Sequence, residues 1–437
     1  MKKNFVFVFC LLIVNFMQAQ QSLSIEQAIA TSLANNYDIL LSRNDSLLAA
    51  NDYAYANYAF YPILNANAGY NLTNNDSKQI LADNTKRERN GVKSNSLTSS
   101  INLNWTLFDG LRMFATKKRL GQLVELGGLQ VKNQVITTVS DVMRTYYDLA
   151  RQQQQLKATQ ETIQLSEERL KLAQYKFDIG TGAKPDVLQA QIDLNAQKST
   201  YLTQQTNILK TKELLNQLLS IPVDTDFAVQ DTIPFTSGLL LDSIQNGIAG
   251  VNPQLLLLQK SKDISSLALQ ERRAERFPTV TFNSAYNFNR TDNKSVVNPF
   301  QPLFNQNKGL NYGFTASIPI FNGLTTRRLI RAAELDIEFQ ELQYKRSLAL
   351  ITTSITNAYK DYDLSKRTLV LEEQNILLVR ENLFIARERY RLGISTFIEM
   401  REAQRSLEEA NNRLIQARYN TKIAEIELLR LRGDLVR

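Results

Sequence analysis

The chain has 437 residues, of which 43% are hydrophobic and 22% are charged, and its 51 Lys and Arg against 43 Asp and Glu give a formal net charge of +8. This composition is typical of a folded chain and argues against disorder. Because the sequence has no histidine and a single cysteine, Cys10, it excludes imidazole triads, His-ligated metals, iron–sulfur clusters and disulfides. Only 16 glycines and 9 prolines interrupt it, which predicts long helices.

The N-terminus has the order of a secretory signal, with a basic start, an apolar core and a small residue before the cleavage point. Lys2 and Lys3 precede an apolar run at residues 5–16, and we predict a signal peptide over 1–19, cleaved after Ala19. The run is too short to span a bilayer, and no later segment is apolar enough for a transmembrane helix. Any membrane crossing is therefore expected from strands. Scattered basic residues in an exported chain do not indicate nucleic-acid binding.

The mature sequence is a duplicated unit. Two motifs of the first half, Phe60-Tyr61-Pro62 and Leu107-Phe108-Asp109-Gly110-Leu111, recur in the second half as Arg276-Phe277-Pro278 and Ile320-Phe321-Asn322-Gly323-Leu324. An internal repeat with nearly constant spacing indicates two copies of one structural unit.

Each repeat is predicted to hold a first helix, a β-hairpin, a long helix and a shorter helix that returns antiparallel. A polar, proline-containing segment links the repeats. The predicted boundaries are 20–220 for the first repeat, with its hairpin at 62–108 and helices at 110–179 and 183–219; 221–238 for the linker; and 239–437 for the second repeat, with its hairpin at 278–321 and helices at 323–392 and 395–432.

The long helices are predicted from a heptad pattern. An apolar residue recurs at every seventh position over 135–177 and, in the same register, over 348–390, which is typical of a coiled-coil seam. A helix of roughly 70 residues is about 105 Å long, far longer than the usual globular helix. Asp109 and Asn322, each just before a glycine and the start of this pattern, are candidate helix N-caps.

Four segments of about ten residues alternate between polar and apolar side chains, as strands with one wet and one apolar face do. Their polar positions are rich in Asn, Thr and Ser, whereas the exposed faces of soluble sheets usually carry Lys and Glu. The asparagines on these polar faces are Asn65, Asn67, Asn71, Asn102, Asn104, Asn283, Asn287 and Asn311.

Two further features favour transmembrane strands over the alternative, a soluble sandwich. Aromatic residues cluster at the strand ends next to the helices, as in an interfacial girdle, and the hairpin tips at 74–96 and 289–309 are long and polar. Four strands cannot close a barrel, and lipid does not tolerate an open sheet edge. The chain is therefore expected to oligomerise.

The arrangement resembles the TolC-type outer-membrane efflux proteins over essentially the whole mature length. Besides the duplicated order of elements, a proline opens each hairpin and Phe-Asp-Gly or Phe-Asn-Gly closes it. Further matches are Asn36-Tyr37-Asp38-Ile39 and Asn252-Pro253-Gln254-Leu255 in the first helices, and Phe177 to Gly180 and Tyr390 to Gly393 at the helical turns, followed by Asp186 or Glu399 and Ala-Gln. Tyr37 departs from the pattern, which usually has proline there.

The resemblance implies a chain that is mainly α with a small β part: duplicated long antiparallel coiled-coil helices plus four transmembrane β-strands per protomer of a homotrimer. Three protomers would form a twelve-stranded β-barrel in the lipid of a Gram-negative outer membrane, continued by a periplasmic α-barrel. The implied partners are a periplasmic adaptor, the membrane fusion protein, and an inner-membrane pump. No cofactor or metal is implied.

The resemblance also assigns roles to the helical turns. The implied adaptor-docking tips are Gly180, Thr181, Gly182, Lys184, Leu392, Gly393, Ile394 and Ser395. The glycines would equally suit helix ends that need a positive φ. A periplasmic gate is implied at Glu381, Arg387, Glu388 and Arg391, where symmetry would repeat the acidic groups into a ring that favours cations, although a solvated helix face accounts for them as well. The strand asparagines would line the pore.

We therefore expect a passive exit duct for drugs or other toxic small molecules, driven by the pump of a tripartite efflux system. Type I protein secretion and metal efflux are variants of the same machine, and a non-transporting periplasmic coiled-coil scaffold is the alternative of another class. An enzyme is not expected, because no phosphate loop or Rossmann glycine pattern occurs. Adjacent glutamates such as Glu167 and Glu168 do not share a helix face, which argues against a carboxylate-pair hydrolase.

Overall fold

The computed structural model describes residues 22–235 and 238–435. The predicted signal peptide, with Cys10, lies outside the described residues. The chain divides into two compact units. The helical unit holds the described residues up to Asn44, Gly128–Leu257 and the residues from Lys345 onward, and the sheet unit holds Asp45–Gly127 and Leu258–Tyr344.

Helices make up most of the described residues. They are α1 (Ile25–Asn35), α2 (Tyr37–Ala54), α3 (Arg112–Asp178), α4 (Lys184–Leu219), α5 (Leu241–Gln245), α6 (Ile248–Val251), α7 (Pro253–Ala274), α8 (Thr325–Arg391) and α9 (Phe397–Arg432). Both α3 and α8 have 67 residues, about 100 Å at about 1.5 Å per residue, so the long helix predicted in each repeat is present. Among the described residues, no helix has the length and hydrophobicity needed to cross a membrane.

The heptad seam of α8 packs against α9. Leu369 and Ile376 are buried in one cluster with Ala410, Leu414 and Ala417. Small residues on α9 let the two helix backbones approach closely, while the larger residues of α8 fill the seam. This pair behaves as the seven-residue period predicts.

In α3 the predicted seam is only partly the buried surface. Thr159 and Ser166, three residues after Leu156 and Ile163, are buried, as companion positions of a heptad seam should be. Leu149 of the seam is fully buried as well, whereas Phe177 is exposed. The reason is that α3 packs against more than one helix, and Gln404 of α9 donates to the Ser166 hydroxyl at 2.8 Å. A single heptad seam does not describe a helix with two packing faces.

The strands are β1 (Ser22–Leu23), β2 (Ile63–Ile80), β3 (Lys86–Asp109), β4 (Ala228–Val229), β5 (Thr279–Asn293) and β6 (Phe304–Ser317). β1 and β4 pair in parallel. Beside them the hydroxyl of Tyr146 donates to the Leu23 carbonyl at 2.8 Å and accepts the Gln230 N–H at 3.2 Å. Because Phe227 and Ile233 are also buried in this cluster, the linker segment is packed against helices.

β2, β3, β5 and β6 form one antiparallel sheet in that order. β2 and β3 come from the first repeat, and β5 and β6 come from the second. The central pair runs from Ser94 opposite Asn293 to Asp109 opposite Thr279. The sheet therefore joins the two repeats through β3 and β5.

The strands are longer than predicted. β2 has 18 residues and β3 has 24, and they stay paired as far as Ile80 and Lys86. The hairpin tip predicted at 74–96 is therefore much shorter than expected, because most of this segment is paired strand. β5 and β6 likewise extend into the predicted tip at 289–309. Strand pairing is made by the backbone, so polar side chains do not end it.

Each hairpin is followed by a long helix. Asp109 accepts the backbone N–H of Met113 at 3.1 Å and so satisfies a donor in the first turn of α3. Because α3 begins at Arg112, the N-cap position itself is Leu111 and not the predicted Asp109. Gly110 follows with a φ of 72°, a left-handed conformation that favours glycine. Asn322 differs from its counterpart, since its Nδ2 donates to the Thr326 hydroxyl at 2.6 Å.

Candidate functional site

One face of the sheet carries the eight asparagines that the alternating pattern assigned to the polar side. Residues directly opposite each other in an antiparallel pair point to the same side. Asn65 is opposite Asn102, and Asn104 is opposite Asn283. The period of two along each strand places the remaining members on that side too. The polar face therefore holds the whole predicted set: Asn65, Asn67, Asn71, Asn102, Asn104, Asn283, Asn287 and Asn311.

Hydrogen bonds connect the polar face across strands. Asn104 Nδ2 donates to Asn283 Oδ1 at 2.7 Å. Asn283 Nδ2 donates in turn to the hydroxyls of Thr281 and Thr315, each at 3.2 Å. These amides and hydroxyls have both donors and acceptors, so the face is suited to hydrating many kinds of solute without strong preference.

The opposite face of the sheet is apolar and exposed. One row of residues across the strands consists of Ala66, Ile101, Tyr286 and Leu310. Another consists of Trp105, Phe282 and Phe314. The Phe282 and Phe314 ring centroids lie 5.1 Å apart, and Phe314 is 72% exposed. An exposed apolar surface of this extent marks a membrane or protein contact.

The helical turns of the two repeats are built alike. Gly180 and Gly393 have φ values of 75° and 77°, and each donates its N–H three residues back, to Phe177 and Tyr390 at 3.0 and 3.1 Å. This is the left-handed helix ending that glycine permits. Thr396 then caps α9 by accepting the Glu399 N–H at 3.2 Å.

The two turns come together at one end of the helical unit. Tyr390 is buried with Phe397 and Met400 of the second repeat and with Ala173 and Val187 of the first. This burial raises the pKa of the Tyr390 hydroxyl.

The ammonium group of a lysine also joins the two turns. Lys176 Nζ donates to the Tyr390 carbonyl and lies 4.0 Å from the Tyr390 ring centroid. The predicted tip residues Gly180, Thr181, Lys184, Leu392, Gly393 and Ile394 are exposed around this contact. Ser395 and Gly182 are partly covered. The structure therefore brings the predicted tips into one surface.

The predicted gate residues lie on the last turns of α8. Arg387 is 3.6 Å from Glu168 of α3, and Arg391 is 2.9 Å from Glu388. Glu381, two turns earlier, is exposed. These ion pairs are largely solvated, so each contributes up to about 1 kcal/mol. Arg387 links α8 to α3 through its contact with Glu168, and its role in gating stays a prediction.

Sequence reasoning missed a buried charged cluster close to the turns. Arg169 is 3% exposed, and its Nη2 lies 2.8 Å from Asp193 Oδ2, which is also 3.0 Å from Arg401 Nε. Burial lowers the pKa of Arg169, which the neighbouring Asp193 carboxylate opposes. The cluster ties α3, α4 and α9 together. In the sequence, the small and polar residues in this part of α3 were the feature that could have indicated a polar packing face.

A two-faced antiparallel sheet with one polar and one exposed apolar side, in a chain with duplicated helical hairpins, indicates a membrane protein. Residues 28–220 and 250–434 match the family model of the outer membrane efflux protein. The chain belongs to this family, which confirms the predicted resemblance, and it is a protein of the Gram-negative outer membrane.

Individual relatives are distant. TolC of Vibrio cholerae serotype O1 is 21% identical over 263 residues, 60% of this chain and 59% of that protein, so the match spans little more than half of it. TolC of Escherichia coli K12 is 20% identical over 451 residues, 100% of this chain and 87% of the relative. The crystal structure of the Campylobacter jejuni CmeC outer membrane channel has a TM-score of 0.80 at 15% identity, covering 94% of this chain and 85% of that one. At 15% identity, the similarity to the CmeC structure shows a shared fold and no more.

Proposed function

We propose that three copies of this chain form the outer-membrane duct of a tripartite efflux system, which passively conducts drugs or other small toxic molecules outward. An inner-membrane pump supplies the energy, and a periplasmic adaptor joins the pump to the duct. The observation that carries this proposal is the two-faced sheet, with the asparagines on one side and the apolar rows on the other.

The apolar face has the height of an outer membrane. On that face of β5, the first charged residue after Val280 is Arg290. At about 3.3 Å per residue, the strand is about 33 Å long between these two residues. For a strand tilted near 40°, this length spans a height of about 25 Å along the barrel axis. The outward apolar band of bacterial barrels is about 25 Å tall.

The edges of the sheet support a closed oligomer. β2 and β6 are the edge strands of the four-stranded sheet, and an unpaired edge is not tolerated in lipid. Pairing β6 of one copy with β2 of the next removes both edges. Three copies then give twelve strands, with the polar faces lining the lumen.

The helical turns are the proposed adaptor surface. Leu392 and Ile394 are 63% and 65% exposed, and Ile179 and Ile398 are also exposed apolar residues beside them. A group of exposed apolar side chains at one place on a surface marks a contact with another protein or a membrane. The gate is proposed just above them, where Arg387 links α8 to Glu168 of α3.

The alternative functions differ in whether they need a sheet with an exposed apolar face. Protein secretion and metal efflux would use the same duct, and only the pump would distinguish them. A non-transporting periplasmic scaffold would need the long helices but no sheet with an exposed apolar face. The apolar rows therefore favour a duct over a scaffold.

Neighbouring residues on opposite faces of β3 test the proposal. Asn102→Asp adds a carboxylate to the polar face, and Leu103→Asp adds one to the apolar face. We expect the purified wild-type protein to conduct ions in planar bilayers and Asn102→Asp to shift its selectivity toward cations. Leu103→Asp should prevent insertion, because a charge on the lipid side is costly.

The controls are extraction and oligomeric state. The wild-type protein should leave outer membranes only with detergent and should behave as a trimer in light scattering. A protein that is released by salt alone, remains monomeric and carries no current would contradict the proposal.

A further inference from the structure

Basic side chains stand on the apolar face of the sheet, just beyond its apolar rows. Lys308 is opposite Phe288, Arg290 is opposite Leu97, and Lys93 is opposite Asn74. Because opposite residues share a side, the register places all three on the same face as Tyr286 and the other apolar residues. They lie at the end of the sheet where the hairpins turn, away from the end that joins the helices.

A fourth cation lies beside them. Lys294, the residue after β5, donates its backbone N–H to the Lys93 carbonyl at 2.9 Å, and both lysines are exposed. We name Lys93, Arg290, Lys294 and Lys308 the basic rim. Asp292, 2.9 Å from Arg290, is an acidic residue beside them on this face. Neighbouring like charges repel each other on a sheet, so the rim favours an anionic ligand.

The rim is positioned by aromatic residues. The Arg290 guanidinium lies over the Phe304 ring, 5.4 Å from its centroid. Tyr70 and Phe288 lie in the same rows as Arg290 and Lys308. Aromatic side chains at the edge of an apolar band sit at the level of the lipid headgroups. The cations therefore stand where headgroup phosphates would lie if the apolar rows contact acyl chains.

We propose that the basic rim binds the phosphate groups of anionic glycolipids in the outer leaflet of the outer membrane. This inference rests on the proposed function, because it needs the apolar face to contact lipid. Guanidinium and ammonium groups are the usual partners of phosphate. Continuity with the apolar rows selects a lipid over free phosphate, since acyl chains and headgroup are then bound together.

The test uses the full-length protein in neutral detergent, with lipid A as the probe. Binding is followed by native mass spectrometry and by titration, for lipid A with and without its phosphate groups and for excess inorganic phosphate. We expect the wild-type protein to prefer the phosphorylated lipid, and inorganic phosphate alone not to bind measurably.

Lys93→Gln, Arg290→Gln and Lys308→Gln combined should weaken lipid A binding on the order of a hundredfold, since each basic group at an anionic lipid surface contributes about fivefold. A charge-retaining variant, Lys93→Arg, Arg290→Lys and Lys308→Arg, should keep the affinity, which separates charge loss from misfolding. The matched control is Lys157→Gln, Lys171→Gln and Lys210→Gln, which removes the same charge from exposed positions on α3 and α4. It should bind like wild type.

Equal affinity of the rim variant and the wild-type protein for phosphorylated lipid A would overturn the inference, and so would tight binding of inorganic phosphate by itself. Bilayer recordings of the same samples separate this result from the proposed function. If the wild-type protein conducts but the rim variant binds lipid A unchanged, the lipid site alone is wrong. If the wild-type protein does not conduct, the duct is wrong.

Discussion

Asn252 joins the start of one helix to the end of another. Its Nδ2 donates to the Leu431 carbonyl at 2.7 Å, and its Oδ1 accepts the Leu255 N–H at 3.1 Å. In the other repeat Asn36 makes the equivalent bond to the Leu218 carbonyl at 2.9 Å. One amide thus satisfies a free donor of a helix N-terminus and a free acceptor of a helix C-terminus. This explains why the same residue stands in both first-helix motifs.

Asn252→Ala should destabilise the protein by about 1–3 kcal/mol, because it leaves a buried carbonyl and a buried N–H without partners. Asn252→Asp should not restore the loss, since a carboxylate cannot donate to Leu431. The measurement is unfolding of the purified protein by denaturant. Asn382→Ala, at an exposed position of α8, is the control. Similar unfolding of the two alanine variants would contradict the role of Asn252.

Asp193→Ala should cost about 3–5 kcal/mol, because Arg169 would keep a buried charge without its carboxylate. The matched control is Glu409→Ala. Glu409 is 3.0 Å from Arg405, and both of their side chains are more than half exposed, so its loss should stay within about 0.5 kcal/mol. Unfolding midpoints of the two variants give the comparison. If they coincide, the buried cluster does not hold the three helices together.

Glu427 should make the stability of the helical unit depend on pH. Burial favours its neutral form, but Arg430, at 2.7 Å, and Arg144 outweigh this and lower the pKa of Glu427 below its ordinary value of 4.5. A carboxyl whose pKa is lower in the folded state stabilises that state above its unfolded pKa, and the contribution disappears as the pH falls through the folded pKa.

Glu427→Gln should therefore be less stable than wild type by about 1–2 kcal/mol at pH 7. This difference should shrink as the pH falls below about 4.5. Thermal unfolding of both proteins across this range measures it, with Glu409→Gln as a control on a solvated carboxyl. A gap that stayed constant down to low pH would show that Glu427 acts through packing and not through its charge.

Neutralising the arginines at the helical turns should loosen the proposed gate. Arg387→Gln combined with Arg391→Gln removes the ion pairs with Glu168 and Glu388. Each exposed pair biases the closed state weakly, so the open probability in planar bilayers should rise about two- to fivefold. Arg389→Gln is the control, because Arg389 lies on a different face of α8. Unchanged conductance in the double variant would count against the gate.

The alternation of Asn and apolar residues correctly predicted which side of the sheet each asparagine would occupy. The period of two is a local property of an extended chain, so it can be read from strands such as 63–72 without knowing their partners. The polar segment at 74–96 did not show this alternation. It is strand because the backbone of β2 pairs with that of β3, and this pairing is invisible in side-chain composition.

The sequence by itself determined the long helices, the duplicated order of elements and the two faces of the strands, because heptad and alternating patterns are local and survive in any packing. Only the tertiary structure decided that β3 pairs with β5 across the repeats and that Asp193 meets both Arg169 and Arg401. These contacts join residues far apart in the chain. Their partners are chosen by where the helices and strands come to lie, and no spacing in the sequence records that.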